Sequence, residues 1–385
     1  MPLKIVVDSH IPFAVDVFSR FGDVLASPGH EIGPKTVRDA DILIVRSVTI
    51  VDRSLLKHSS VSFVGSATAG IDHIDTEYLS ERGVEFAYAP GANAESVVEY
   101  VIAALSTLSA ERGEDFRKKT IGIVGCGNVG SRLADRCALF GMRVLQNDPP
   151  RALAEDRHSF SDLELLLSES DIVSVHTPLS ETGPHPTKHL ISARELYLLK
   201  KGAWVVHTAR GGVCVEKDLV DARKREVVSA LVLDVWENEP TPDPYSVSNA
   251  DIATGHIAGY SRDAKRKGIE MVAQKVVSHF GLPEAGSFPG ASAIESLQPI
   301  EPSLSDPVFV DALVSQMMNI RSDDERFRDA MKDVMKDAGR RGVAFHSYRA
   351  NYPPRRGFSR FDSQGLDLPA NLIAALSLRS SDSSD

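Results

Sequence analysis

The apolar positions fall into two series of short runs separated by amphipathic stretches. Near the N-terminus, Lys4-Ile5-Val6-Val7-Asp8 reads as a buried strand ending in an acid. Asp41–Ser47, Val61–Gly65 and Val84–Tyr88 repeat the pattern, and a helix predicted over Thr76–Arg82 closes at Gly83. Short apolar strands alternating with helices imply a parallel sheet covered on both faces. Asn93–Arg112 is a longer helical pattern with Val97, Val98, Val101, Ala104, Leu105 and Leu108 on one face and Gly113 as its C-cap. Six further runs follow: Thr120–Gly125, Met142–Asn147, Ile172–His176, Ala203–Thr208, Val228–Val235 and Ile252–His256. Ser192 and Glu195 have the spacing of a capping box ahead of one intervening helix. Six strands in this rhythm fit a doubly wound nucleotide-binding sheet. Another amphipathic helix covers Gly268–Phe280 and stops at Gly281 and Pro283. Residues 282–307, rich in Pro, Gly, Ser and Ala, read as a linker, and 308–370 as a mixed, more charged segment. The Ser/Asp-rich end, Ser377–Asp385, is expected to be disordered.

Composition narrows the class. A chain of 385 residues suggests two to three domains, and 42% apolar with 25% charged residues excludes a disordered chain. The net charge of −10 disfavours a general nucleic-acid partner while leaving room for a local basic patch that grips a small anion. No run of 18 apolar residues occurs and the first residues lack a signal-cleavage pattern, so no membrane partner is expected. The three cysteines, Cys126, Cys137 and Cys214, form no CxxC pair; each reads as a small buried apolar residue, and the set points to the cytoplasm. Twelve histidines show no HExxH spacing, so no metal site is expected.

The strongest motif is Gly125-Cys126-Gly127-Asn128-Val129-Gly130, a GxGxxG placed between a strand and a helix. Gly125 permits the tight turn, Gly127 lets the backbone approach a pyrophosphate, and Gly130 lets helix and strand pack closely. Asp148 lies 18 residues beyond Gly130 at the end of the next strand. A carboxylate there accepts from ribose hydroxyls and repels a 2′-phosphate, which favours NAD over NADP, although neighbouring Arg151 could meet such a phosphate. Arg210, Glu239 and His256 each follow a strand, where ligands bind in open α/β sheets. Singly, Arg210 also reads as a surface ion-pair member, Glu239 as a solvated loop acid and His256 as a structural histidine.

Gly125–Gly130 together with His176-Thr177-Pro178-Leu179, Thr208-Ala209-Arg210-Gly211, Leu233–Pro240 and His256-Ile257-Ala258-Gly259 resembles the D-isomer-specific 2-hydroxyacid dehydrogenases. Val45–Thr49, Ala67–His73, Pro90–Ala94, Asp148–Arg151, His256–Tyr260, Tyr348–Tyr352 and Arg355-Arg356 resemble a branch of that family with a C-terminal dimerisation domain. The branch oxidises 4-phospho-D-erythronate to 2-oxo-3-hydroxy-4-phosphobutanoate in the vitamin B6 route.

The resemblance implies two doubly wound parallel-sheet lobes with a cleft, plus a C-terminal α+β dimerisation domain. The expected boundaries are 1–92 and 258–285 for a substrate-binding lobe, 93–257 for an NAD-binding Rossmann domain and 290–385 for dimerisation. It implies Arg210 as carboxylate clamp, His256 as acid–base group and Glu239 as its orienter. Thr177, Asp234 and Gly259 match cofactor contacts beyond the glycine loop; Ser47, Thr68 and Tyr260 match substrate contacts. Arg46 with Ser47 is one candidate reader of a substrate phosphate; the cluster Arg349, Arg355 and Arg356 is another. The implied partners are a phosphorylated 2-hydroxy acid and a second copy of the chain. Alternatives are a dehydrogenase for 3-phosphoglycerate or another D-2-hydroxy acid, or an NAD-sensing regulatory protein.

Overall fold

The computed structural model describes residues 2–155, 159–283, 286, 293–300, 307–353 and 355–379. Most of the expected linker, the boundary positions 285 and 290, and residues 380–385 lie outside the described residues. The chain divides into two compact units, Met1–Ala94 with Tyr260–Ala293, and Glu95–Gly259 with Ile294–Asp385.

The first unit holds a five-stranded parallel sheet of order β2-β1-β3-β4-β5: β1 Leu3–Asp8, β2 Gly22–Ser27, β3 Ile42–Val45, β4 Phe63–Ser66 and β5 Glu85–Tyr88. Side chains alternate across a strand, so each strand feeds two cores. Ile5, Val7, Ile42, Ile44 and Phe63 meet Ile269, Val272 and Val276 of the Arg262–Phe280 helix. Val6, Leu43, Val45 and Val64 meet Leu55, Leu56, Tyr78 and Leu79 on the other side. Full burial stabilises each such side chain by about 1.5–3 kcal/mol. β2 escapes the hydrophobic pattern because it is an edge strand with alternating half-exposed positions. The Arg262–Phe280 helix starts six residues earlier than its apolar periodicity predicts. Its first turns are charged, and Ser261 sets the start by accepting from the Ala264 amide at 3.0 Å. Gly281, at φ 62, ends it as expected.

The second unit holds a six-stranded parallel sheet of order β11-β10-β9-β8-β6-β7: β6 Thr120–Val124, β7 Arg143–Asn147, β8 Ile172–Val175, β9 Ala203–His207, β10 Val228–Leu233 and β11 Ile252–Ala253. The order reverses between β6 and β8, the switch point at which such sheets bind ligands. Ser192 and Glu195 do form the capping box.

The segment expected to stand apart from residue 290 packs into this second unit. Its helices Ile320–Lys332 and Ala338–Ala350 place Phe327, Met331 and Phe345 in one core cluster with Val205, Leu231, Trp236 and Ala253. The helix Ala370–Leu376 is held by the Arg136 guanidinium, which donates to the Ala374 carbonyl at 2.7 Å. Ser377–Arg379, assigned to a disordered tail from sequence, are structured: Leu378 is buried and Arg379 bridges to Asp362. The buried Leu378 and the backbone hydrogen bonds that Arg379 makes with Phe361 and Ser363 carry order past the helix end. No described helix is long and apolar enough to cross a membrane.

Candidate functional site

In the second unit every candidate group except the C-terminal arginines follows the carboxyl end of a strand. The glycine loop follows β6, and the helix Asn128–Leu139 begins directly after it with no side-chain cap. A Cβ on Gly130 would lie 2.0 Å from the Gly125 carbonyl oxygen, so only glycine allows this strand and helix to close together. At Gly127 a Cβ would meet nothing within 4 Å, which leaves that backbone open to a ligand. Asn128 is exposed and Val129 half-buried beside it. Uncapped helix amides facing open space suit an anion.

Asp148 caps the next short helix by accepting from the Arg151 amide at 3.1 Å, and its other oxygen accepts from the Cys126 amide at 2.8 Å. The carboxylate is thereby fixed against the glycine loop. Arg151, the residue that could have welcomed a 2′-phosphate, is tied to Glu155 at 2.8 and 2.7 Å and to the Ser131 hydroxyl at 2.8 Å. Cys126 is buried, and burial followed by the Asp148 charge pushes its thiol up to about 12. It packs as the small apolar residue expected.

Thr177 lies across the switch point from this loop; a Cβ on Gly125 would sit 2.8 Å from its methyl carbon. Its Oγ1 is buried without a hydrogen-bond partner. An orphaned hydroxyl beside an uncapped helix start and a fixed acid is the donor set a dinucleotide would complete.

Arg210 follows β9 in extended conformation and donates from Nη1 to the Ala209 carbonyl at 2.9 Å. A Cβ on Gly211 would fall 1.9 Å from the Trp236 carbonyl oxygen. The Arg210 turn therefore lies directly against the loop that carries Glu239. Behind it, His207 is 2% exposed, and burial drives its imidazole down to about 4. His176, bonded through Nε2 to the Ser174 hydroxyl at 2.8 Å, is pushed by burial to about 3. Both rings are neutral at physiological pH.

Glu239 and His256 form a pair, with Oε2 2.7 Å from Nδ1. Oε1 accepts from the Trp236 amide at 3.0 Å. Burial pushes the Glu239 carboxyl up, but attraction to His256, its hydrogen bond and the charge of Arg349 together hold it below the usual range. The ionised acid accepts the Nδ1 proton, which leaves Nε2 as the nitrogen that exchanges a proton with a ligand. His256 has a left-handed backbone, φ 58. Its own amide donates to the Asp234 carbonyl at 2.7 Å, and the Ile257 and Ala258 amides donate to the Asp234 carboxylate at 2.8 and 2.9 Å. Asp234 also accepts from Thr254 Oγ1 at 2.6 Å and is fully buried. The structure thus places Asp234, read as a cofactor contact, as the anchor of the His256 loop. Gly259 closes that loop half-buried.

The first unit carries the residues read as substrate contacts. Arg46 follows β3, with Nε 2.5 Å from Oδ2 of the wholly buried Asp8. Ser47 is exposed. Thr68 donates to the Gly70 carbonyl at 2.9 Å and bonds the Ser66 hydroxyl at 2.8 Å. Tyr260 is half-buried under the Lys265 ammonium, 4.8 Å from its ring centroid. Asp8 was missed as a site residue; an acid closing an apolar strand was its only sequence signal.

The C-terminal arginines separate. Arg355 is buried and committed to Glu99 and two carbonyls, which takes it out of the phosphate-reading set. Arg356 pairs with Glu295. Arg349 remains near Glu239 and stacks over Phe345 at 5.8 Å.

Comparison with known proteins decides the family. Residues 98–258 match the model of the "D-isomer specific 2-hydroxyacid dehydrogenase, NAD binding domain". The erythronate-4-phosphate dehydrogenase of Salinibacter ruber is 44% identical over 378 residues, 96% of this chain and 95% of that protein. The chain belongs to the erythronate-4-phosphate dehydrogenases. A second member, from Hahella chejuensis, is 37% identical over 97% of this chain and 98% of its own length. Among solved structures, a D-lactate dehydrogenase of Aquifex aeolicus complexed with NAD and lactic acid has a TM-score of 0.59 at 23% identity. It covers 72% of this chain and 95% of its own. The likeness shows the family's doubly wound fold, and the matched domain makes the chain an NAD-dependent oxidoreductase.

Proposed function

We propose that the chain oxidises 4-phospho-D-erythronate at C2 to 2-oxo-3-hydroxy-4-phosphobutanoate, in the vitamin B6 route. The observation that carries the chemistry is the Glu239–His256 pair at 2.7 Å on an over-anchored loop. Relatives of that name, at 37–44% identity over nearly the whole chain, support the substrate. NAD, when bound, supplies the acceptor for the C2 hydride, and Gly125–Gly130, Asp148 and Thr177 would hold it. His256 Nε2 takes the C2 hydroxyl proton, so the alcohol loses a hydride and a proton and becomes a ketone. Glu239 keeps Nδ1 protonated and the ring oriented. Arg210 engages the substrate carboxylate through a bidentate fork. Arg46, Ser47, Thr68 and Tyr260 are assigned to the substrate on the resemblance, with Arg46 reading the 4-phosphate.

The test is the rate of NADH formation with 4-phospho-D-erythronate, unphosphorylated erythronate and 3-phosphoglycerate. Turnover should be efficient with the first alone. A higher kcat/KM on 3-phosphoglycerate would reassign the substrate. We also propose a cytoplasmic homodimer formed through residues 290–385. Free, buried cysteines support the compartment. Light scattering on the full chain should give twice the 41.8 kDa mass.

A further inference from the structure

The chain passes between its two compact units twice, after Ala94 and after Gly259. Ser96 and Ala258 are each the second residue inside the second unit at those points. The Arg355 guanidinium joins them: Nη2 donates to the Ser96 carbonyl at 3.2 Å and to the Ala258 carbonyl at 3.0 Å. Nη1 donates to Glu99 Oε2 at 3.2 Å, and Glu99 Oε1 accepts from the Phe358 amide at 2.7 Å. Both charged side chains are buried, at 8% and 7% exposure. A charge is held out of water only where its hydrogen bonds are satisfied, and this fork is spread over three acceptors on two chain segments.

Ala258 is two residues beyond His256. On the other side of His256 the same C-terminal region fixes the chain again. Asp324 accepts from the Ala253 amide at 2.7 Å, and a Cβ on Gly255 would sit 2.7 Å from the Tyr348 ring. The loop is therefore held before and after His256 by residues more than 65 positions away in sequence.

We propose that Arg355 is a positioning residue for the reaction: it locks the His256 loop to the first turn of the Ala94–Arg112 helix, at the two places where the chain crosses between units. It touches neither substrate nor cofactor and acts through the Ala258 carbonyl on the placement of His256. The proposal rests on the assignment of His256 as proton acceptor. It gives the C-terminal segment a part in catalysis separate from assembly.

Removing one partner of a buried pair endangers the fold, so two variants are used. Arg355→Lys keeps the charge beside Glu99 but an ammonium cannot reproduce the planar fork. Arg355→Met with Glu99→Gln removes both charges. Each is examined by NAD-binding stoichiometry, by kcat and KM, by the isotope effect with 2-deuterated substrate, and by amide hydrogen exchange of the protein without ligand. Both should bind one NAD per chain and lose about tenfold or more in kcat with KM little changed. The isotope effect should rise as the chemical step becomes limiting, and exchange should quicken in 254–259 and 95–99 but not in 120–130. Wild-type kcat and exchange in both variants would overturn the proposal. So would a kcat loss that only tracks the fraction of chains binding NAD, with an unchanged isotope effect. Absence of turnover by the wild-type enzyme would instead sink the functional reading, and hydrogen exchange alone would then decide the clamp.

Discussion

The two ends of the six-stranded sheet are built in different ways. Around β6 and β7 most of the proposed cofactor side comes from one short stretch, joined by Thr177 after β8: the Gly125–Gly130 loop, Asp148 22 residues after Cys126, and Arg151 reaching back to Ser131. Around β10 and β11 the proposed proton-transfer side depends on distant chain. Trp236 stacks on Phe327 with centroids 5.7 Å apart, Asp324 holds Ala253, and Arg355 holds Ala258 from 97 positions away. On the proposed assignment, nucleotide binding is therefore largely a local property of one βαβ unit. The His256 loop, proposed to carry the proton transfer, is a tertiary product, and its accuracy is exposed to changes far from it in sequence.

The sharpest test of this contrast is His256→Ala. It should lower kcat by a factor of roughly 10²–10⁴, as for other acid–base groups, while NAD affinity measured by fluorescence stays near wild type. A matching loss of NAD affinity would mean that the two sides are one cooperative structure.

Phe327→Ala comes next. The ring is fully buried between Trp236, Phe345 and Tyr348, and its removal should cost about 3–5 kcal/mol in urea unfolding. The lost activity should exceed the lost NAD binding under conditions where the variant is folded. Equal losses would show that Phe327 supports the whole unit without favouring its catalytic side.

On the local side, Asp148→Ala deletes a carboxylate that accepts from the Cys126 amide and is proposed to hold the cofactor ribose. Its kcat/KM for NAD should fall about tenfold, equivalent to ~1.4 kcal/mol, and discrimination against NADP should relax. With Arg151 already bound to Glu155 and Ser131, the gain for NADP should be modest. An unchanged NAD/NADP ratio would remove Asp148 from the cofactor site.

The smallest effect is on pH. Glu239 is held below the usual carboxylate range, so it is ionised at neutral pH. Glu239→Gln removes the charge that His256 Nδ1 faces at 2.7 Å, so the stability it costs should depend on pH. The sign for stability follows too. A depressed folded value means that the charged pair stabilises above the unfolded carboxyl value of about 4.3 and is lost as pH falls through the folded value. The stability gap between wild type and Glu239→Gln should therefore narrow only in acid. A gap of the same size in acid and at neutral pH would break the pairing.

What the sequence determined by itself follows this same division. Apolar runs specified ten of the eleven strands in the two large sheets to within a few residues, because a buried parallel strand is written in consecutive side chains; the one unread there, β2, is a half-exposed edge. The glycine motif, Asp148 and the order Arg210, Glu239, His256 were legible because each rests on turn chemistry within a strand and its following loop. The tertiary structure alone decided three things. Asp234 became an internal anchor because its carboxylate meets three donors brought round by the β11 loop. Arg46 came to rest on Asp8, 38 positions earlier, because β1 and β3 are neighbours in the sheet. Arg355 left the candidate phosphate readers for a buried clamp because the C-terminal helices fold back onto the nucleotide unit. A charged side chain in a sequence shows what it can bond; only the packing of remote segments determines which acceptor reaches it first.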